Sequence, residues 1–189
     1  MNSFLRLAGV TALTLFVAGA AAAAEVGGVK LEDKVSIDGR ELALNGAGMR
    51  TKVFLKIYVL GLYLPQPAKD VPAVFAKAPR RIQMIMLRVL SAEQIVDALL
   101  DTMQDNNTPA ELAAVKAQTD QLASLILAFK EVKDRDVITL DFVDGATKLG
   151  WNGKSYGTIP GEAFNQALSK IWLGEKPVQT DLKKALLGG

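Results

Sequence analysis

In the last dozen positions of residues 45–64, both the odd-numbered and the even-numbered residues are mostly apolar. A strand on an open sheet surface alternates apolar with polar residues, so this pattern predicts a central strand covered on both faces. The polar exceptions are Lys56 and the Tyr58 hydroxyl, which share one face of the strand. Arg50 is also an even-numbered residue, so it would lie on the same face if the chain stays extended. Three hydrogen-bond donors beside an apolar strand predict a pocket with one polar end.

Shorter apolar runs on either side of this stretch predict further strands. Asp38-Gly39, Asp144-Gly145 and Asn152-Gly153 supply the turn chemistry of tight hairpins, and the last two predict an antiparallel meander. The tetrapeptide at residues 45–48, Asn-Gly-Ala-Gly, interrupts the pattern before Arg50. The predicted strands are residues 29–31, 34–38, 41–44, 80–89, 136–143, 147–151 and 154–158.

Helical periodicity separates these two groups of strands and closes the chain. Ser91 and Gln94 form a capping-box pattern at the start of a helix predicted over residues 92–105. Apolar stripes bounded by Pro or Gly predict further helices over residues 69–78, 109–130 (as one helix or a kinked pair), 162–173 and 179–187. Strands and helices grouped in this order predict an α+β domain with helices gathered on an antiparallel sheet.

The N-terminal segment has the pattern of a secretory signal peptide. Arg6 precedes an apolar run over residues 7–18, and the small residues 20–24 offer a cleavage site before Glu25. We therefore expect residues 1–24 to be a signal peptide and residues 25–189 to be one domain. The mature protein is expected to have no stable membrane span and, in a bacterium, to be periplasmic.

Composition narrows the chemistry that the domain can perform. The 189 residues carry a formal net charge of +2, with no basic patch of the kind that nucleic acid requires. The sequence contains neither Cys nor His, which removes disulfides, thiolate nucleophiles, Cys or His metal ligands and the usual general base near neutral pH. We expect no metal and no cofactor. Any catalysis would depend on Arg, Lys, Tyr, carboxylates, hydroxyls or water.

Three sequence blocks together resemble the chalcone isomerase family. They are LNGAGMR at residues 44–50, FLKIYVLGLYL at residues 54–64 and GEAFNQALSKIWLG at residues 161–174. The resemblance covers roughly residues 41–187, and with the N-terminal segment the chain resembles the exported bacterial chalcone-isomerase-like group. It implies an open-faced β-sandwich, in which an antiparallel sheet is layered with helices and a ligand cleft lies between them.

The resemblance also implies roles for particular residues. Arg50 matches the arginine of the family, and Tyr58 falls where the isomerases have a threonine and the fatty-acid-binding branch a tyrosine. Ile95 and Thr102 fall at the tyrosine and asparagine of the isomerase helix, and Asn165 falls near a further polar cleft position. Without that tyrosine and asparagine, this sequence is more similar to the binding branch.

Two functions remain open at this point. The first is binding of an apolar molecule with an acidic head, such as a fatty acid, with Arg50, Tyr58, Lys56 and Thr102 as ligand-binding residues. The second is an isomerase or intramolecular lyase acting on an unsaturated carbonyl compound, with Arg50 stabilising an oxyanion and Tyr58 relaying a proton. We favour the first, because a binding protein needs only the pocket and the charge.

Overall fold

The computed structural model describes residues 24–76 and 79–189. Residues 1–23 of the predicted signal peptide lie outside the described residues. Its last predicted residue, Ala24, is the first residue of a strand. The described strands are β1 Ala24–Val26, β2 Val29–Leu31, β3 Lys34–Ile37, β4 Arg40–Lys52, β5 Leu55–Leu64, β6 Arg80–Met86, β7 Leu90–Ser91, β8 Glu131–Val132, β9 Val137–Val143, β10 Ala146–Trp151 and β11 Lys154–Pro160. The described helices are α1 Val71–Ala76, α2 Ala92–Asn106, α3 Pro109–Ala114, α4 Lys116–Leu127, α5 Glu162–Leu173 and α6 Thr180–Leu186.

Seven of the strands form one antiparallel sheet in the order β11-β10-β9-β6-β5-β4-β3. The predicted meander is confirmed, because β9, β10 and β11 pair in sequence. Strand β5 lies near the middle, between β4 and β6. The strands β1 and β2 form a separate hairpin. The short strands β7 and β8, which α2, α3 and α4 separate in the sequence, pair as a further two-stranded antiparallel sheet.

The structure corrects the prediction of a single strand after Arg50. Residues 40–64 form a hairpin in which β4 continues through the Asn-Gly-Ala-Gly tetrapeptide to Lys52, and Val53 and Phe54 make a two-residue turn. Arg50 therefore lies on β4, directly across from Tyr58 on β5. The pattern missed this turn because Val-Phe carries none of the residues that ordinarily mark a tight hairpin.

The prediction that the central strand is covered on both faces is confirmed. Leu60 and Leu62 of β5 point into the main core between the sheet and the helices. Val59, on the opposite face, packs against Val29 and Leu31 of the β1–β2 hairpin. A strand in this position gains burial on both sides, which explains its continuous apolar sequence.

The tetrapeptide at residues 45–48 docks the C-terminal helix α6. Asn45 lies at a bulge in β4, and its side-chain Nδ2 donates to the Leu186 carbonyl at 2.7 Å. A Cβ on Gly46 would overlap the Ala185 carbonyl oxygen, and one on Gly48 would lie 2.8 Å from Leu182 Cδ1. Glycine at these two positions therefore lets α6 approach β4 at backbone distance.

The helices follow their predicted signals closely. At the start of α2, Ser91 and Gln94 form the capping box in both directions, and α5 has the predicted bounds. The open choice for residues 109–130 is resolved as two helices, α3 and α4, which meet at Val115.

The predicted strand 80–89 ends earlier, at Met86. None of the helices in the described ranges has the length and apolarity of a membrane span.

Candidate functional site

A cavity of about 750 Å³ lies between the sheet and the helices. Its wall is formed mainly by apolar side chains of four strands, of α2, α4 and α5, and of the segment before α6. These include Ile57, Met84, Met86, Ile138, Leu140, Leu149, Ile95, Leu99, Leu122, Ile126, Ile171 and Val178. This volume is within the range of small-molecule sites in proteins, and the wall suits an apolar ligand.

Arg50 lies at the polar part of this wall, held from the backbone of β4 and from α6. Its Nη1 donates to the Thr51 carbonyl and, at 3.2 Å, to Oε1 of Gln179, the residue before α6. Gln179 in turn donates from Nε2 to the Met49 carbonyl at 3.2 Å. No carboxylate within the described ranges forms an ion pair with Arg50, so its charge is available to a ligand.

Tyr58 lies beside Arg50 on the neighbouring strand, with the two side chains on the same face of the sheet. Trp172 of α5 donates from Nε1 to the Tyr58 hydroxyl at 3.0 Å. Burial raises the pKa of that hydroxyl above its ordinary value, against smaller opposing effects of the Trp172 hydrogen bond and the Arg50 charge. Tyr58 is therefore neutral at physiological pH, and its own hydrogen is available to an acceptor in the cavity.

Arg88 is a further cation in the cavity wall, and it was not predicted as a site residue. Its Nε is buried without a hydrogen-bond partner in the described part of the protein. The sequence does contain one indication of this position. Arg88 continues the alternation of Met84 and Met86, and both methionines line the cavity. A buried N–H without a partner costs free energy, which an anionic ligand that accepts from it would offset.

Of the other two predicted site residues, Thr102 lies in the cavity wall and Lys56 does not. Thr102 lines the cavity, with its hydroxyl donating to the Ala98 carbonyl at 2.8 Å. Lys56 is exposed and is not part of the cavity wall. A register shift between Arg50 and Thr51 explains the difference, because Lys56 pairs with Thr51 while Tyr58 pairs with Arg50.

Asn165 also lies away from the cavity wall, which corrects its expected place near the cleft. It is buried in α5, where the Thr147 hydroxyl donates to its Oδ1 at 2.5 Å. Its neighbour is the buried Arg80, whose Nη2 donates to Ser169 Oγ at 3.1 Å and whose guanidinium lies 4.5 Å from the centre of the Phe142 ring. Asn165 thus belongs to a polar cluster that joins α5 to the sheet.

Carboxylates are also present at the cavity. Asp97 and Asp101 of α2 are part of its wall, together with the cations Arg50, Lys52 and Arg88. Within the described ranges, no group of three or more carboxylate, His or Cys side chains is arranged to hold a metal ion. The cations of the wall therefore outnumber its carboxylates by one.

A curled antiparallel sheet with helices on one face and a cavity between them defines an α+β protein of the chalcone isomerase type. The family model described as "Chalcone isomerase-like" matches residues 23–188, and the chain belongs to this family. The resemblance read from the three sequence blocks is thereby confirmed.

Among solved structures, a fatty-acid-binding protein of Arabidopsis thaliana has a similar fold. The TM-score is 0.66 at 13% sequence identity, and the match covers 85% of this chain and 92% of the other. At this identity the likeness establishes the fold alone. A comparison with curated proteins finds no match.

Proposed function

We propose that this protein is exported to the periplasm and binds an apolar small molecule with an acidic head, such as a fatty acid. The observation that carries the proposal is the cavity of about 750 Å³, whose largely apolar wall contains Arg50 without a carboxylate partner and Arg88 with its Nε unbonded among the described residues, together with the neutral hydroxyl of Tyr58. Export is supported by the signal-like pattern of the first 24 residues.

The polar groups suit a carboxylate in particular. A guanidinium keeps its charge at every physiological pH and can hold both carboxylate oxygens with parallel hydrogen bonds. The Tyr58 hydroxyl, fixed from the other side by Trp172, supplies a further donor. A charge-assisted hydrogen bond of this kind contributes roughly 1.5–3 kcal/mol.

The remainder of the cavity suits a flexible apolar chain. Met84 and Met86 lie on β6, and Ile95 and Leu99 face them from α2. Methionine side chains adapt to irregular shapes, which fits a hydrocarbon chain better than a rigid ring system. The name of the Arabidopsis protein with the same fold supports the same class of ligand.

Binding of a fatty acid and of the fatty alcohol of equal chain length tests the proposal directly. We expect the protein to prefer the acid, and Arg50→Ala to weaken binding of the acid by about ten- to hundredfold while leaving the alcohol nearly unaffected. Arg88→Ala is expected to act in the same direction. Isothermal titration calorimetry measures these affinities.

Arg40→Ala is the matched control, because Arg40 is exposed and pairs with Asp144 at the opposite end of the sheet. Its affinity for the acid should equal that of the unmodified protein. An unmodified protein that binds the acid and the alcohol equally well would exclude the proposed role of the arginines.

A further inference from the structure

The turn between β4 and β5 exposes an apolar surface at the end of the sheet. Val53, Phe54 and Leu55 are 79%, 99% and 51% exposed, and together with their flanking lysines Lys52 and Lys56 they form what we call the hairpin tip. Full exposure of a phenylalanine beside two other large apolar residues is costly unless a partner covers them.

The backbone of the hairpin tip is strained as well. Val53 and Phe54 have φ values of 46° and 67°, in the left-handed region that β-branched and aromatic residues avoid. The hairpin turns at Asp38-Gly39, Asp144-Gly145 and Asn152-Gly153 use the residues that favour this conformation. Turn formation therefore does not explain why Val and Phe occupy these two positions. What distinguishes them from the residues of the other three turns is their exposed apolar surface.

The position of the hairpin tip relates it to the cavity. Lys52, Val53 and Leu55 are part of the cavity wall, and so is Val89, which is 57% exposed. The apolar surface of the tip is thus continuous with the interior of the cavity. A ligand that enters or leaves here passes over the tip.

We propose that the hairpin tip inserts into the surface of an anionic lipid bilayer, so that the mouth of the cavity faces the membrane. The argument for this occupant is charge complementarity, since the apolar residues lie directly between two exposed lysines in the sequence Lys-Val-Phe-Leu-Lys. Apolar side chains enter the boundary between headgroups and acyl chains, and the lysines meet the anionic headgroups.

The neighbouring charges favour the same orientation. Arg50, Lys52 and Arg88 outnumber Asp97 and Asp101 in the cavity wall, and Lys56 adds a further exposed cation. A symmetric contact between the tips of two copies would instead bring like charges together. Docking does not depend on which molecule the cavity binds, so it is tested separately from the proposed function.

The absence of cysteine from the sequence allows a specific test. Phe54→Cys and, as the control, Ser36→Cys are each labelled with an environment-sensitive fluorophore in the protein as its host produces it. Ser36 is exposed on β3, at the opposite end of the sheet from the hairpin tip. The labelled proteins are mixed with vesicles of phosphatidylcholine alone or of phosphatidylcholine with phosphatidylglycerol.

We expect a blue shift at position 54 with the anionic vesicles, no shift at position 36, and loss of the effect at high salt. In vesicle flotation, Phe54→Ser should reduce partitioning by about tenfold. Charge reversal by Lys52→Glu or Lys56→Glu should reduce it by at least about fivefold each. Phe54→Ser should still bind the soluble fatty acid normally, because Phe54 is not part of the cavity wall.

Two results would overturn the proposal. One is a label at position 54 that reports an aqueous environment with both kinds of vesicle. The other is a label that is shielded without vesicles in a protein of doubled mass, which would assign the hairpin tip to a second copy of the chain.

Discussion

At the scale of single residues, the hydrogen bond from Trp172 to Tyr58 determines what the tyrosine can do. Because its oxygen already accepts a hydrogen, the hydroxyl offers its own hydrogen to the cavity. Gln179 plays a comparable part for Arg50, since it holds one end of the guanidinium and ties it to the β4 backbone. Trp172 and Gln179 thus position the two groups of the proposed binding site, and neither was predicted from the sequence to do so.

Tyr58→Phe tests this arrangement. Removing the hydroxyl should lower the affinity for a fatty acid by about three- to tenfold, less than Arg50→Ala, because one neutral donor is lost. It should also lower the free energy of unfolding by about 1–3 kcal/mol, since Trp172 Nε1 is left without its acceptor. Calorimetric titration and chemical denaturation measure the two effects.

The matched control is Tyr156→Phe, the same chemical change at a residue that is not part of the cavity wall and packs on the outer side of the wall residue Phe129 with its ring, which the substitution keeps. It should leave the affinity unchanged. Equal affinities of Tyr58→Phe and the unmodified protein would remove Tyr58 from the proposed site.

At this scale the residues of the cavity wall could be predicted only in part. Arg50, Tyr58 and Thr102 do line it, although the ligand contacts remain predictions. Lys56 does not, because a register shift next to Arg50, which alternation in the sequence does not reveal, pairs Lys56 with Thr51. Arg88 was visible as a continuation of Met84 and Met86, but parity alone does not distinguish a cavity wall from packed core.

At the scale of elements, the docking of α6 on β4 connects the tetrapeptide at residues 45–48 to the site. Gly46→Ala would place a Cβ against the carbonyl oxygens of Ala185 and Leu186, which are backbone atoms and cannot turn aside. The helix must then shift, at a cost of about 1–3 kcal/mol. Since Gln179 precedes this helix, ligand affinity should fall together with the melting temperature. An unchanged melting temperature would contradict the close approach.

The start of α3 gives a prediction about pH. The hydrogen bond from Lys170, followed by those from Thr108, lowers the pKa of Glu111 to about 2. A lowered carboxyl pKa stabilises the fold above the ordinary value of 4.5, and the effect is lost as the pH falls towards 2. Glu111→Gln keeps an acceptor for the capping box but has no charge.

The melting temperature of the unmodified protein should therefore exceed that of Glu111→Gln at pH 7, and the difference should shrink below about pH 4. Thermal unfolding across this pH range measures it. A difference that is the same at pH 3 and pH 7 would show that the charge of Glu111 has no part in it.

Element prediction succeeded where local signals were strong. The capping box of α2, the bounds of α5 and the meander of β9, β10 and β11 all follow from residues within a few positions of each boundary. The hairpin at Val53-Phe54 could not be predicted this way, because the pairing of β4 with β5 overrides local turn preference.

At the scale of the whole molecule, the α+β class and the family could be predicted from the sequence, because both rest on element order and on the motif around Arg50. The cavity could not be predicted with its size. Its volume depends on how far α2, α4 and α5 stand from the sheet, and apolar residues of the same spacing would equally suit a filled core.

The most direct test of the account is native mass spectrometry of the protein purified from its host, followed by organic extraction of any bound molecule. We predict one apolar acid per protein, lost in Arg50→Ala, which should remain folded. A protein that carries no ligand and binds none of a panel of fatty acids would contradict the account. Turnover of an unsaturated carbonyl compound by that empty protein would favour the isomerase function instead.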